Sequence, residues 1–236
     1  MAAPLPVLLL PPSERKAQGG LRRSWGDRPT TFEQLRAARS QVAAAAGIAA
    51  DGPSLPALQR YTGVLYDALD VGGMPAGLRR RASANVLIVS GLAGLVSGGD
   101  PVPAYTLPIG TVVPGLGGLA SWWRPRLSPV LDARVAGAVV WDLLPAAHAA
   151  AWTPGGSWRV RWRVRVLRED PRTGARQVVS HDNKTAKGAL ARLVLTTGAR
   201  GPAALVGWVG PGGYALDPGS SAYTRSGGVL DLVRRG

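Results

Sequence analysis

The sequence contains no cysteine, which excludes disulfides, thiolate metal sites, iron–sulfur clusters and a cysteine nucleophile. Histidine is nearly absent: there are two, His148 and His181, and His148 sits in AAHAAAW, where it reads as a helix-surface or packed residue rather than a ligand. With few acidic residues to join them, these side chains argue against a dedicated zinc or iron centre, and no metal or cofactor is expected. Lysine is scarce too. Lys16, Lys184 and Lys187 are three of 28 basic residues, a bias that fits a GC-rich coding background in which arginine drifts into surface positions. Long apolar runs are missing. The VLLL of MAAPLPVLLLPP is too short for a signal-peptide core and has no basic segment before it or small-residue cleavage site after it, so it reads as a short buried strand. No run approaches the roughly 18 residues of a membrane span, and a soluble, cytoplasmic chain is expected. Neither a Walker A pattern nor a Gly-x-Ser-x-Gly elbow occurs.

What is present is a globular composition, 46% apolar and 18% charged over 236 residues, with no stretch long enough to act as a linker. One domain spanning 1–236 is expected. The net charge of +14 points to an acidic partner, nucleic acid first.

Along the chain, VLLL runs into PPSERKAQGG, a polar loop at the end of a buried strand, where ligand sites often lie in sheets fed by crossovers. Residues 31–50 read as a helix with Thr30 or Thr31 as its cap and Glu33 in the first turn. LPALQRYTGVLYDALD reads as two short helical pieces around Tyr61-Thr62-Gly63, which suits either a helix-hairpin-helix or an ordinary helix stop. NVLIVSGLAGLV is a buried strand entering a turn whose Gly91 and Gly94 permit positive φ and close backbone approach. A helix starts near Trp122 and Trp123, and VAGAVVW is a second buried strand. Strands and helices alternate in no strict βαβ order, so the fold class is α+β, a mixed sheet surrounded by helices.

Two basic features follow. In WRVRWRVRV, Arg159, Arg161, Arg163 and Arg165 alternate with apolar residues, the period of a strand with one cationic face. Successive guanidinium groups would lie roughly 6.6 Å apart, near the phosphate spacing of an extended nucleic-acid strand, although a solvated antiparallel face has the same pattern. The row is predicted to form a hairpin, 158–167 with 175–181, through a Pro171/Gly174 turn. Directly after it, HDNKTAKGALARLVL predicts a helix capped by Asp182 or Asn183, with Lys184 and Lys187 in its first turn, Gly188 beside them and Arg192 further along. Cations there oppose the helix dipole, so an anion is the expected companion, the alternative being a solvated basic start. Residues 158–200 hold eleven Lys or Arg against three Asp or Glu, more than half of the net charge in under a fifth of the chain.

Taken in order, VLLLPPSERK, YTGVLY, VLIVSGLAGLV with DPVPAY and Gly110, SWW, SHDNKTAKGALAR and GWVGPGGYALDPGSS resemble the YaaA family of bacterial peroxide-stress proteins. The resemblance implies a cantaloupe-like mixed α/β fold with a helix-hairpin-helix and a positively charged cleft for duplex DNA. It also implies a role in limiting the iron-driven damage that hydrogen peroxide causes. Ser13 and Lys16 fall on the family's first loop, Tyr61, Gly63 and Tyr66 on its Tyr-x-Gly-x-x-Tyr segment, and Ser90, Gly91, Leu92 and Gly94 on its Ser-Gly-Leu-x-Gly turn. Lys184, Lys187, Gly188 and Arg192 fall on its lysine helix. Ala93 replaces an aromatic, Glu14-Arg15 replaces smaller residues, and the arginine row is no part of the family pattern.

The leading expectation is therefore a non-enzymatic, sequence-tolerant DNA binder. Its phosphate contacts would come from Lys184, Lys187, Arg192 and the Arg161/Arg163 row, with Ser13, Lys16, Tyr61 and the backbone of Gly63, Gly91 and Gly94 adding to the site. The alternative is an enzyme for a nucleic-acid or phosphorylated substrate, with Ser13, Glu14, Lys16, Lys184 and Lys187 converging at strand ends.

Overall fold

The structure is a computed structural model that describes residues 5–21, 25, 29–49, 52–178 and 180–235, with only the backbone at 180–182. In chain order the first half is β1 (Val7–Leu10), α1 (Arg36–Ala45), β2 (Ser54–Pro56), α2 (Ala57–Arg60), α3 (Val64–Leu69), α4 (Ala76–Asn85), β3 (Val86–Ser90), β4 (Gly94–Ser97) and β5 (Pro101–Pro103). There follow β6 (Val112–Val113), β7 (Gly117–Gly118), α5 (Leu119–Val135), β8 (Val139–Asp142), α6 (Ala146–Ala149) and β9 (Val160–Glu169). The chain closes with β10 (Arg176–Gln177), α7 (Ser180–Thr197), β11 (Val209–Gly210), β12 (Tyr214–Leu216), β13 (Ala222–Thr224) and β14 (Gly227–Arg235).

A mixed ten-stranded sheet runs β11-β12-β14-β9-β8-β1-β3-β4, with β10 and β13 attached to β9 and β14. Its middle, β3-β1-β8-β9-β14, is parallel throughout, and antiparallel strands extend both sides. Parallel strands are covered on both faces, which is why VLLL, VLIVS and VVWD are continuous runs of buried residues rather than alternating ones. The order follows from the crossovers. From β1 the chain goes to β3 on one side, then returns through α5 to β8 on the other, so the connections reverse direction between β1 and β8. The carboxyl ends of β1 and β8 are therefore the switch point at which open α/β sheets form a crevice.

Indole rings tie the layers to the sheet. Trp141 Nε1 donates to the Ala199 carbonyl at 2.9 Å, Trp162 Nε1 to Arg200 at 2.8 Å, and Trp123 Nε1 to Gly91 at 2.8 Å. Each buried N–H is thereby satisfied while the ring fills the core.

Several local expectations change. The first long helix is shorter than 31–50: a 3₁₀ turn at Glu33–Leu35 precedes α1, Glu33 accepts from the Thr30 amide, and the chain turns away at Gly47 with φ 64°. Ala50 and Asp51 lie outside the described residues. The two helical pieces around Tyr61–Gly63 are present as α2 and α3, and Gly63 takes φ 98°, a value that suits glycine. The hairpin after the arginine row has a two-residue return strand, because α7 already begins at Ser180 and includes His181. Asp182 and Asn183 are thus inside the helix, not caps, and Lys184 is its fifth residue.

Candidate functional site

At the switch point the chain leaves β1 as Pro11-Pro12-Ser13-Glu14-Arg15-Lys16 and leaves β8 as Leu143-Leu144-Pro145 into α6. Residues 11–16 of the first segment and Pro145, Ala147 and His148 at the end of the second, together with 62–66, 105–110 and Lys184 of α7, line a cavity of about 450 Å³. The volume lies within the roughly 300–1,000 Å³ of small-molecule sites.

The β1 loop is fixed by its own polar groups. Ser13 Oγ accepts from the Thr62 amide at 3.0 Å and donates to the Arg15 carbonyl, and Lys16 bridges to Tyr61. Lys16 Nζ donates to the Ser13 and Glu14 carbonyls at 3.0 and 3.2 Å and lies 4.3 Å from the Tyr105 ring centroid. Burial draws its pKa from 10.5 down to about 8, opposed by Glu14 and assisted by Arg60. Below the loop, hydroxyls run in a chain: Tyr61 to Tyr105 at 2.8 Å and Tyr105 to Ser90 at 2.6 Å, while Tyr66 OH donates to the Pro11 carbonyl at 2.8 Å. Burial raises all three phenol pKa values, so the chain stays protonated at neutral pH.

Three cations thus reach one concavity: Lys16, Arg15 and Lys184. Arg15 and Lys184 are exposed. Of the residues expected from sequence, Ser13, Lys16, Gly63 and Lys184 all line this cavity, with Glu14 and Tyr66 beside them. Tyr61 supports it from beneath through Tyr105 and Lys16.

Other expected residues are elsewhere. Lys187 is 6% exposed and donates to the Leu143 carbonyl at 2.9 Å, so its ammonium braces the β8 loop from inside rather than facing a phosphate. Gly188 is a packing position: a Cβ there would overlap the Leu65 carbonyl oxygen and come within 2.8 Å of Ala68 Cβ, so α7 crosses α3 where only glycine fits. Arg192 closes α3, donating to the carbonyls of Leu69 at 3.2 Å and Asp70 at 2.6 Å and pairing with the Asp70 carboxylate at 3.0 Å. Gly91 and Gly94 are buried. A Cβ on Gly91 would meet the Leu107 carbonyl and one on Gly94 the Trp123 ring at 2.5 Å, so the turn is built for packing rather than for presenting amides.

The arginine row divides. Arg161 pairs with buried Asp142 at 2.5 Å and lies over Trp152 and Trp158, and Arg165 chelates Asp231 with two contacts of 2.7 Å. Both therefore hold β9 to its parallel neighbours. The row faces no antiparallel partner over its length, because β8 and β14 flank it in parallel. The Arg159 and Arg163 side chains are exposed, while the Arg159 amide donates to the Ala138 carbonyl at 2.9 Å. Arg163 sits in register with Asp142, the last residue of β8.

Sequence reasoning missed His148 and the 105–110 wall as site components. His148 lines the cavity from α6, and burial pulls its pKa down to about 4, so the ring is neutral at pH 7. Its Nδ1 is buried with no hydrogen-bond partner among the described residues. An alanine-rich helix gave no signal for this, since the placement comes from β8 ending beside β1. Among the described residues no three His, Cys, Asp or Glu side chains are grouped as a metal site would need, and no helix is long and apolar enough to cross a membrane.

Comparison with known proteins bears on what this site belongs to. Residues 21–219 match the family described as peroxide stress protein YaaA. The UPF0246 protein SCO2297 of Streptomyces coelicolor is 41% identical over 181 residues, covering 75% of this chain and 68% of that protein. The UPF0246 protein CE1889 of Corynebacterium efficiens is 32% identical over 219 residues, covering 81% and 85%. A UPF0246 protein of Cereibacter sphaeroides strain KD131 is 30% identical over 177 residues, covering 73% and 68%. With most of its length matched, the chain belongs to the YaaA family of peroxide stress proteins.

Proposed function

We propose that this chain is a cytoplasmic DNA-binding protein of the peroxide response, which holds DNA phosphates at the rim of the switch-point cavity with Arg15, Lys16 and Lys184. The observation that carries the reading is the convergence of three cations from two distant segments on one concave surface of a chain with net charge +14. Arg163, exposed and in register with Asp142 at the carboxyl end of β8, extends the basic surface and adds backbone contacts without base selectivity. Neutralising DNA phosphates releases their condensed counterions. Ferrous iron is such a counterion, and displacing it from the backbone removes the metal from where peroxide would make it damaging. In this way DNA binding limits iron-driven damage at the DNA backbone itself.

Fluorescence anisotropy with a short duplex across a salt series tests the reading. Binding should weaken with a log–log slope of about −0.9 per phosphate neutralised, and Arg15→Ala/Lys184→Ala should flatten it by close to two phosphates. A wild-type slope near zero contradicts it.

A second reading, an enzyme for a phosphorylated substrate, is favoured by one observation: Lys16 with a pKa of about 8 and a neutral His148 line the same cavity. Against it, the Ser13 hydroxyl proton is committed to the Arg15 carbonyl. Glu14→Gln separates the two, because loss of turnover of a phosphorylated substrate with DNA affinity intact supports the enzyme.

A further inference from the structure

We infer that the cavity receives a single nucleotide unit unstacked from a DNA strand, its base between the apolar walls and its phosphate on the cationic rim. This rests on the DNA-binding reading and goes beyond it. Backbone contact alone needs a charged surface but no cavity, whereas this one is about 450 Å³ and walled largely by Pro12, Val64, Leu107 and Pro108 over a floor of Tyr105 and Ile109. Apolar walls favour a ligand with apolar faces, which a phosphate lacks and a base has. A duplex cannot enter, since its major groove alone is about 12 Å wide.

Position supports the same occupant. The rim cations Arg15 and Lys184 come from the β1 loop and α7, while the apolar walls lie on 62–66 and 105–110, so charge and apolar surface meet across one opening. His148 adds an uncharged imidazole to the lining, and an uncharged ring suits a base better than it suits a second anion. An enclosed wall of this kind admits only a nucleotide already out of the stack, so unpaired or damaged positions are preferred over intact duplex.

The test measures affinity for an intact duplex, the same duplex with a one-nucleotide bulge, and one whose bulge is abasic. Free deoxynucleoside monophosphate serves as competitor, and the protein is compared with Ala147→Trp. Ala147 is an exposed cavity residue whose enlargement fills the opening without touching the core. The bulged duplex should bind at least about tenfold tighter than the intact one, because the protein no longer has to unstack the nucleotide. The abasic bulge should lose that advantage, and Ala147→Trp should lose it with an unchanged salt slope. Equal affinity for all three duplexes, with a normal salt slope, overturns the inference and leaves the DNA-binding reading standing. Salt-independent binding, or none, overturns both. Cavity-dependent binding of free monophosphate without any bulge preference also overturns it, and assigns the site to a free nucleotide.

Discussion

Replacing Gly188 by alanine distinguishes a packing glycine from a phosphate cradle. On an exposed helix the change would stabilise by about 1 kcal/mol through helix propensity. Here the new methyl would overlap the Leu65 carbonyl oxygen and stand 2.8 Å from Ala68 Cβ and 3.0 Å from the Leu65 carbonyl carbon, whereas carbon atoms pack at about 3.5–4.0 Å. The obstacle is main chain in α3, which cannot rotate aside, so α7 must move away from it. Overpacking costs about 1–3 kcal/mol, and separation also strains the Arg192 bonds that close α3, so the upper end of that range applies. After subtracting the propensity gain, a net loss of about 2 kcal/mol is expected, or a fall in Tm of about 4–8 °C for a chain of this size. Urea denaturation and thermal melting read the stability. Anisotropy at a temperature where both proteins are folded reads DNA affinity, which should change less than twofold. Unchanged stability with a large loss of affinity would refute the packing argument and restore Gly188 to the phosphate site.

Further outcomes follow from the same contacts. Gly94→Ala places a methyl against Trp123 at a position with φ 65°, and the combined strain and overpacking should cost about 2–5 kcal/mol in urea denaturation. Asp142→Ala leaves Arg161, whose side chain is 18% exposed, without its carboxylate, and should cost about 3–5 kcal/mol. For Lys187 the pKa is about 8 folded against an ordinary 10.5. Below pH 8 both states carry the proton. Above it the folded chain releases first and the unfolded chain binds more protons, so stability rises from about pH 8 toward 10. Lys187→Met should remove its share of that rise and leave the part due to Lys16, as followed by urea denaturation at pH 7, 8 and 9.5; an unaltered pH profile counts against a buried ammonium.

The sheet's buried strands were legible because VLLL, VLIVS and VVW are apolar without alternation, a pattern that parallel strands buried on both faces produce. The WRVRWRVRV period located β9, yet its neighbours were not readable: β14 begins more than fifty residues later, and no local signal encodes so distant a parallel partner. The loop at Ser13–Lys16 was legible as a strand end. The lysine helix was read only in part, because Lys184 and Lys187 look alike in sequence while three positions of helical rotation send one to the cavity and the other to the Leu143 carbonyl. Glycines misled for a related reason. Gly91, Gly94 and Gly188 mark close approach, and sequence does not say whether the approaching group is a phosphate or another part of the same chain.

Amide hydrogen exchange with and without a short duplex tests most directly whether DNA is held at the switch-point cavity. Slowed exchange at 13–16, 105–110 and 143–149, the segments that surround it, is the expected result. Protection confined to α4, which carries the exposed Arg80 and Arg81, with the cavity loops exchanging as in the free protein, would show that the DNA lies elsewhere.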